Sequence, residues 1–476
     1  MRQYAQQTSA ASGNKHALAL LFSAVTLTFC ILISDFSNQI SFLNYILLCL
    51  ALTITCYFAI LAAFEPTGTF LTTLYYSYML YMFIIPGFFQ TTNGKFFWYL
   101  NYRYTDFSIT ISAAIVILFV ICVERGRHSF HPKGMRLSPS NAPDLPRSLS
   151  TPQIYRIALY SLLLALGAMA YLIARNGISF FFMTRGSISA EATVNLSSTD
   201  IGLLIAAPRY ICLLAILTTA ILLRRTLKSG GQPLIPFIFL GIAIVINALV
   251  NNPISVSRGQ FMIEIFFLIT TLLPPRSVRT RLYIFAIFPL ALYMLLPAIT
   301  KFNRLKNIEL DFHFLSLTEA LAHGDFDGFQ SVLNVVSYVS EQGLYYGKQI
   351  SSSIFVFIPR SIWPWKGTPT GVDAAEYVGY FFTNVSSPLP VEFYVDFSFF
   401  GVVFFSYLFG FCLKLLEARL FQFYQYGLII TTTYIAAAIT GLMFVFMRGA
   451  LLSAMSAVTL FVLAIYLISY VARRVL

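Results

Sequence analysis

Long apolar runs divide this sequence from one end to the other. Runs of about 17 or more residues recur along it, and a helix of that length crosses a hydrocarbon core of roughly 30 Å. In lipid, a helix satisfies every backbone hydrogen bond within its own segment. The pattern therefore predicts an all-α, polytopic integral membrane protein. We predict about twelve transmembrane helices, at 17–34, 40–63, 70–90, 106–123, 154–173, 201–223, 234–250, 260–274, 282–298, 398–415, 424–446 and 449–470.

The composition excludes an ordinary soluble domain. Of 476 residues, 58% are hydrophobic and 11% are charged, with a mean hydropathy of +0.76, whereas soluble domains carry about 25% charged residues. The first run follows Lys15 but lacks a small-residue cleavage site, so we interpret it as a span and not as a signal peptide. All six cysteines lie in apolar runs and act as small hydrophobic residues. We expect no cofactor and no metal site, because His128 and His131 have no further ligands beside them.

Positive charge predicts the orientation of the spans, because Lys and Arg are retained on the cytoplasmic side during insertion. With both termini in the cytoplasm, 18 of the 31 Lys and Arg residues lie on that side. The formal net charge of +12 is then mostly a topology signal. No basic domain suggests nucleic-acid binding.

One connection is far longer than the others. Residues 299–397 separate the ninth and tenth predicted spans, and structureless loops beyond about 12–15 residues are uncommon unless they are functional. The loop contains ten of the nineteen acidic residues and only six cations, so it is net negative while the rest of the chain is positive. The predicted organisation is 1–298 with spans one to nine and a third outer loop at 174–200, 299–397 as the large outer loop, and 398–476 with spans ten to twelve.

The long loop has the pattern of a folded segment. Residues 329–342 and 350–359 are apolar at helical spacing and end at Gly343 and Pro359, which predicts two short helices on the outer surface. The stretch that follows, "RSIWPWKGTPTG", carries Trp363 and Trp365. Two interpretations of these aromatic residues stay open: they anchor the loop at the membrane interface, or they stack on sugar rings.

Isolated arginines stand at the outer ends of several apolar runs. Arg175, Arg185, Arg258 and Arg448 belong to different helical regions, and Arg209 lies deeper, within the sixth predicted span. Taken singly, each is explained by snorkelling toward lipid headgroups. Several arginines at one membrane depth favour a functional site, because charge in this region is costly and a guanidinium binds phosphate with two parallel hydrogen bonds. Arg304 and Lys366 of the long loop are candidate contributors to the same site.

These features resemble the Wzy family of O-antigen and polysaccharide repeat-unit polymerases. In some members the third and fifth periplasmic loops each carry an Arg, ten residues and a Gly, and the same spacing occurs here from Arg175 to Gly186 and from Arg360 to Gly371. Two further pairs, Arg2 to Gly13 and Arg156 to Gly167, have this spacing outside those loops. The Pro-rich turn and Glu in "SPLPVEFYVDFSFFG" also resemble the family pattern, which makes Glu392 the preferred carboxylate over Asp373, Glu376 and Asp396.

The resemblance implies a glycosyltransferase of the GT-C-like membrane class in the bacterial inner membrane, with periplasmic active loops. It would move the growing glycan from undecaprenyl pyrophosphate to the non-reducing end of an incoming undecaprenyl-pyrophosphate-linked repeat unit, alongside a chain-length regulator and a flippase. Arg175, Arg360 and Glu392 would be catalytic, with the other arginines, Lys366 and the two Trp binding substrate. The alternatives are an O-antigen ligase or another GT-C enzyme, which shares the architecture, and a lipid-linked oligosaccharide flippase, which has no need of a long outer loop.

Overall fold

The computed structural model describes most of the chain, and every regular element among the residues it describes is helical. The described residues are 14–34, 40–97, 104–129, 148–185, 187–188, 202–273, 277–289, 293, 316–380, 382–383 and 385–474. The α-helices in chain order are α1 (Lys15–Leu32), α2 (Phe42–Ala63), α3 (Phe70–Ser77), α4 (Ile85–Asn93), α5 (Asp106–Ser129), α6 (Thr151–Asn176), α7 (Ala207–Ser229), α8 (Leu234–Val250), α9 (Arg258–Leu272), α10 (Leu317–Leu321), α11 (Gly328–Gln342), α12 (Lys348–Ile354), α13 (Thr370–Tyr377), α14 (Leu389–Tyr426), α15 (Thr431–Arg448) and α16 (Leu451–Arg474).

Eight helical segments in the described part of the chain are long and apolar enough to cross a membrane, which confirms a polytopic membrane architecture. They are α1, α2, α5, α6, Leu204–Ser229, α14, α15 and α16. The predicted third span corresponds to α3 and α4 joined by the π-helical segment Tyr78–Ile84. The predicted seventh and eighth spans correspond to the shorter helices α8 and α9. Residues 278–289 are helical, but most of the remainder of the predicted ninth span lies outside the described residues.

Glycines allow a close contact between α5 and α14. Gly126 of α5 faces Tyr407 of α14, and Gly410 of α14 faces Val123 of α5. A Cβ atom at either glycine would clash with the carbonyl group opposite it. Small residues let two backbones approach in lipid, where packing and not the hydrophobic effect drives helix association. This contact fixes α14, which carries the predicted catalytic carboxylate, against the rest of the spans.

Four buried charges and the half-buried Glu65 cross-link these helices at the same end of α5. Arg127 lies 2.7 Å from Glu124, 2.6 Å from Glu65 and 3.3 Å from Glu417, and it is almost completely buried. Lys414 pairs with Glu65 and lies 3.1 Å from Glu417. The sequence assigned Arg127 and Lys414 to the inner ends of spans as topology signals. The structure gives them a further role, because α5 continues past residue 123 to Ser129 and buries Arg127 between α2 and α14.

The described part of the long loop, from residue 316 onward, is folded, with one helix shorter than expected. The predicted helix at 329–342 is confirmed as α11, and Gly343 follows its last residue with φ +85°. The helix expected to run to Pro359 ends at Ile354. Beyond it, the carbonyl groups of Val356 and Ile358 accept hydrogen bonds from the Lys366 side chain instead of from helical backbone N–H groups, so the chain is not helical there.

The predicted start of the tenth span at residue 398 coincides with a break inside α14. Phe397 and Ser398 have non-helical dihedral angles, and Ser398 has φ +54°. A positive φ is uncommon for a residue with a side chain. The break separates the segment that carries Glu392 and Asp396 from the apolar span that follows.

Candidate functional site

Two of the predicted arginines converge on one acidic turn of the long loop. Arg258, the first residue of α9, forms an ion pair with Asp325. Arg448, the last residue of α15, lies 3.1 Å from Asp327 and donates a hydrogen bond to the Gly324 carbonyl at 3.1 Å. The turn at 323–327 therefore draws together the ends of two helices that are far apart in sequence. We call Arg258, Arg448 and this turn the arginine cluster.

Local sequence explains the position of each arginine. Ser257 is the N-cap of α9, and its hydroxyl accepts a hydrogen bond from the Gln260 backbone N–H at 3.2 Å. The helix therefore starts at Arg258, at the end facing the acidic turn. Helix α15 ends at Arg448 because Gly449 is in an extended conformation. Asp327 also accepts from the Ser386 hydroxyl at 2.8 Å, which joins the turn to the segment before α14.

Asp325 is charged in the folded protein. Burial alone would raise the pKa of Asp325, but the hydrogen bond with His323 and the positive charges of Arg258 and Arg448 outweigh burial and lower it. Both arginine side chains are partly exposed, at 17% and 25%. The carboxylates of Asp325 and Asp327 hold the two guanidinium groups in place.

The segment that leads to Glu392 contacts this cluster. The Ser387 backbone N–H donates to the Arg448 carbonyl at 3.0 Å, which fixes the start of α14 against the end of α15. One turn further on, Glu392 is fully buried and its Oε2 accepts from the Thr370 hydroxyl at 3.0 Å. The Ser387 side chain and the Leu451 backbone also interact with this carboxylate, but its other oxygen, Oε1, makes no hydrogen bond of good geometry. A buried carboxylate oxygen of this kind can accept a proton, or a hydrogen bond from a hydroxyl group.

The other candidate carboxylates are occupied or exposed. Asp396 accepts from the backbone N–H groups of Gln349 at 3.0 Å and Ile350 at 2.7 Å, and so caps α12. Asp373 accepts from the hydroxyls of Tyr345 and Thr368. Glu376 is exposed. The geometry therefore favours Glu392 among the four.

Arg360 and Lys366 bind the backbone of their own loop. Arg360 donates to the carbonyls of Lys366 at 2.7 Å and Gly367 at 2.8 Å, while Lys366 donates to the carbonyls of Val356 and Ile358 at 2.7 and 3.0 Å. Burial, together with the charge of Arg360, lowers the pKa of Lys366. These contacts shape the loop that leads to Thr370. Their predicted contact with pyrophosphate stays a prediction.

The remaining predicted residues are not part of the cluster, and Arg185 alone among those that the structure describes contacts a segment next to it. Arg175 is exposed at the end of α6 and donates to Tyr171 of the same helix at 3.2 Å. The Arg185 backbone N–H donates to the Ile254 carbonyl at 3.1 Å, so this part of the third outer loop contacts the turn before Arg258. Trp363 is half-buried and Trp365 is exposed. Arg304 lies outside the described residues.

Arg209 is a buried cation that the sequence did not place in the site. Its Nη1 donates to the Ser255 carbonyl at 3.0 Å, and its guanidinium carbon lies 5.0 Å from the centre of the Phe180 ring. Nε and Nη2 have no hydrogen-bond partner. The depth of Arg209 could be predicted from the apolar run around it. Its connection to the turn before Arg258 could not, because that contact depends on how α7 and α9 pack.

The chain matches no protein-family model, no curated protein and no solved structure. The chemistry of the site must therefore be argued from its own residues. Two partly accessible guanidinium groups can bind the oxygens of a phosphate or pyrophosphate. A buried carboxylate on the segment that this cluster binds can take a proton from an incoming hydroxyl group. Together they suit a transfer reaction in which an anionic group leaves.

Proposed function

We propose that the protein is an O-antigen polymerase. It transfers the growing glycan from undecaprenyl pyrophosphate to the non-reducing end of an incoming undecaprenyl-pyrophosphate-linked repeat unit. The observation that carries this proposal is the position of Arg258 and Arg448, held from two helices on one acidic turn that also binds the segment leading to the buried Glu392. The polytopic architecture supports a substrate carried by a lipid.

In this mechanism Glu392 takes the proton from the acceptor hydroxyl. The hydroxyl oxygen forms a bond to the anomeric carbon of the donor glycan, and the bond from that carbon to the pyrophosphate oxygen breaks. Undecaprenyl pyrophosphate leaves with the electron pair, and Arg258 and Arg448 stabilise its added negative charge. Asp325 and Asp327 keep the two guanidinium groups oriented before substrate arrives.

The finer parts of the proposal follow from the sequence. The chain spans a bacterial inner membrane about twelve times in a GT-C-like arrangement, with both termini in the cytoplasm and the long loop in the periplasm. Arg175 and Arg360 contribute to catalysis, while Arg185, Arg304, Lys366, Trp363 and Trp365 contribute to substrate binding. A chain-length regulator and a flippase are its proposed partners, and the reaction requires no metal ion.

One observation favours a second candidate function, that of an O-antigen ligase. The resembling ligases use a histidine late in their long loop, whereas His313 and His323 lie early in it, and this departure favours the polymerase. His323 is nevertheless part of the arginine cluster. Its Nδ1 is 3.2 Å from Asp325, and its side chain is 24% exposed. A histidine next to two phosphate-binding arginines could serve as the base in glycan transfer to lipid A core. Polymerase remains the preferred proposal because Glu392 is the buried carboxylate with an oxygen that makes no hydrogen bond of good geometry.

Deletion of the gene distinguishes these functions through the gel pattern of surface polysaccharide. We predict that loss of the protein leaves a single repeat unit on lipid A core, and that the wild-type chain restores the full ladder. Loss of a ligase would leave no repeat unit there, and loss of a flippase would strand repeat units on the inner leaflet. Either of those patterns would contradict the polymerase proposal.

A further inference from the structure

A group of bulky apolar side chains on the long loop is exposed, away from the site described above. We call it the apolar loop surface: Ile354, Phe355, Phe357, Ile362 and Trp365. Phe357 is 66% exposed, and Ile362 and Trp365 are each 73% exposed. Keeping such side chains in water costs about 1.5–3 kcal/mol each relative to burial. A cluster of this kind indicates a partner.

The loop that carries this surface is held in a fixed shape from within. The Arg360 and Lys366 side chains donate four hydrogen bonds to carbonyl groups of the same loop. The Gly367 backbone N–H also donates to the Ser352 hydroxyl at 2.8 Å, which attaches the end of the loop to α12. The polar groups are therefore satisfied inside the loop, and the apolar side chains that remain outside form a preorganised surface.

Helix α12 places this loop against two apolar spans. It packs on α14 and α16, and Asp396 of α14 caps its first turn. The adjoining part of α14, just after the break at Ser398, displays Phe400 and Phe404, which are 69% and 51% exposed. These values match those of outward-facing residues in the middle of spans, such as Leu467 at 64%. The apolar loop surface thus lies beside helix faces that contact lipid.

We propose that the apolar loop surface inserts into the membrane leaflet on the side of the long loop, at the boundary between headgroups and acyl chains. Trp and Phe next to Arg and Lys are typical of this boundary. The contact of α12 with lipid-facing spans favours the bilayer over a second protein chain as the partner. Insertion gives Trp365 the first of the two roles that its sequence leaves open, anchoring the loop at the membrane interface, and replaces the substrate contact proposed for it above. The proposal does not depend on the polymerase reaction.

Fluorescence of single-Trp variants in lipid nanodiscs tests this insertion. In the full chain, W98F with W363F leaves Trp365 as the only indole, and W98F with W365F leaves the half-buried Trp363 as the matched control. Lipids brominated near the headgroup end of the acyl chain should quench Trp365 at least about twofold more strongly than Trp363, because an inserted indole lies at that depth. Iodide in the water should quench Trp365 weakly.

The opposite pattern would overturn the proposal. Strong quenching of Trp365 by iodide without quenching by brominated lipid would mean that the surface faces water or a soluble partner. Protection from both quenchers would mean that another protein chain covers it. Thermal unfolding of both variants in the same nanodiscs, with midpoints equal to that of the wild-type chain, shows that the comparison is made on folded protein.

Discussion

At the residue scale, Gly371 gives one of the Arg-to-Gly spacings a physical meaning. A Cβ atom at Gly371 would lie 3.0 Å from the Val385 carbonyl oxygen and 3.1 Å from that of Ser386. These are backbone atoms of the turn that leads to Glu392, so they cannot rotate away as a side chain could. A Cβ atom at Gly167, which has the same spacing from an arginine, would meet nothing within 4 Å.

We predict that Gly371→Ala shifts the turn before Glu392 and shortens the glycan ladder. The turn must move by a few tenths of an ångström to admit the Cβ atom, and since a misplacement of about 1 Å costs roughly 100-fold in rate, we expect a loss of a few-fold. Gly167→Ala is the matched control, and it should leave the ladder unchanged. The measurement is the distribution of chain lengths on a gel at equal amounts of protein in the membrane. Equal ladders from the two variants would show that the close contact at Gly371 has no catalytic consequence.

Sequence reasoning identified most of the residues of the candidate site but not their contacts. Arg258 and Arg448 stand out because charge is rare at the ends of apolar runs. Their partners Asp325 and Asp327 are 67 and 121 residues away, and only the packing of the long loop on the spans brings them together. The hydrogen bonds from Arg360 to backbone carbonyls could not be predicted either, because every residue has a carbonyl group and the sequence does not indicate which one accepts.

At the scale of helices, the buried charges around Arg127 join α2, α5 and α14. Arg127 contacts three carboxylates, and the Thr69 backbone N–H donates to Glu417 at 3.0 Å. Removing one member of such a network leaves the opposite charges buried without compensation. The network therefore stabilises the packing of α14, whose other end carries Glu392, against α5 and the end of α2.

We predict that Arg127→Met destabilises the protein by about 3–5 kcal/mol, because it leaves carboxylates buried without their shared cation. The measurement is thermal unfolding in detergent together with the amount of protein in the membrane. Arg125→Met is the matched control, since Arg125 is exposed on the same helix and should change stability little. Equal unfolding midpoints for the two variants would contradict a stabilising role for the network.

Apolar periodicity predicted the helices better than it predicted their ends. The tenth predicted span starts where α14 breaks, and α11 ends at the expected glycine. Helix α12 ends early because the carbonyls of Val356 and Ile358, just beyond it, accept hydrogen bonds from the Lys366 side chain. Such a contact depends on how the loop folds back, which periodicity does not record. Helix α5 runs past its predicted end because Glu124 and Arg127 in its last turns form ion pairs. A hydropathy pattern shows that these residues are charged, but it does not show that they are paired.

At the scale of the whole molecule, the positive-inside pattern predicts where each end of the chain lies. Green fluorescent protein fused after Leu476 should fluoresce, because it folds in the cytoplasm. Alkaline phosphatase fused after Glu341 should be active, because it needs the oxidising periplasm. An inactive phosphatase at Glu341 together with a fluorescent carboxyl terminus would place the long loop on the cytoplasmic side and contradict the proposed orientation.

The central claim is that Glu392, together with Arg258 and Arg448, carries out glycan transfer between lipid-linked substrates. The most direct measurement is elongation of undecaprenyl-pyrophosphate-linked repeat units by purified protein in nanodiscs, in the presence of a metal chelator. We predict a ladder of products from the wild-type chain and from Glu376→Gln, whose carboxylate is exposed. Glu392→Gln should lower the rate by about 100-fold or more, since its amide cannot accept the hydroxyl proton. A ladder from Glu392→Gln at the wild-type rate would contradict the claim.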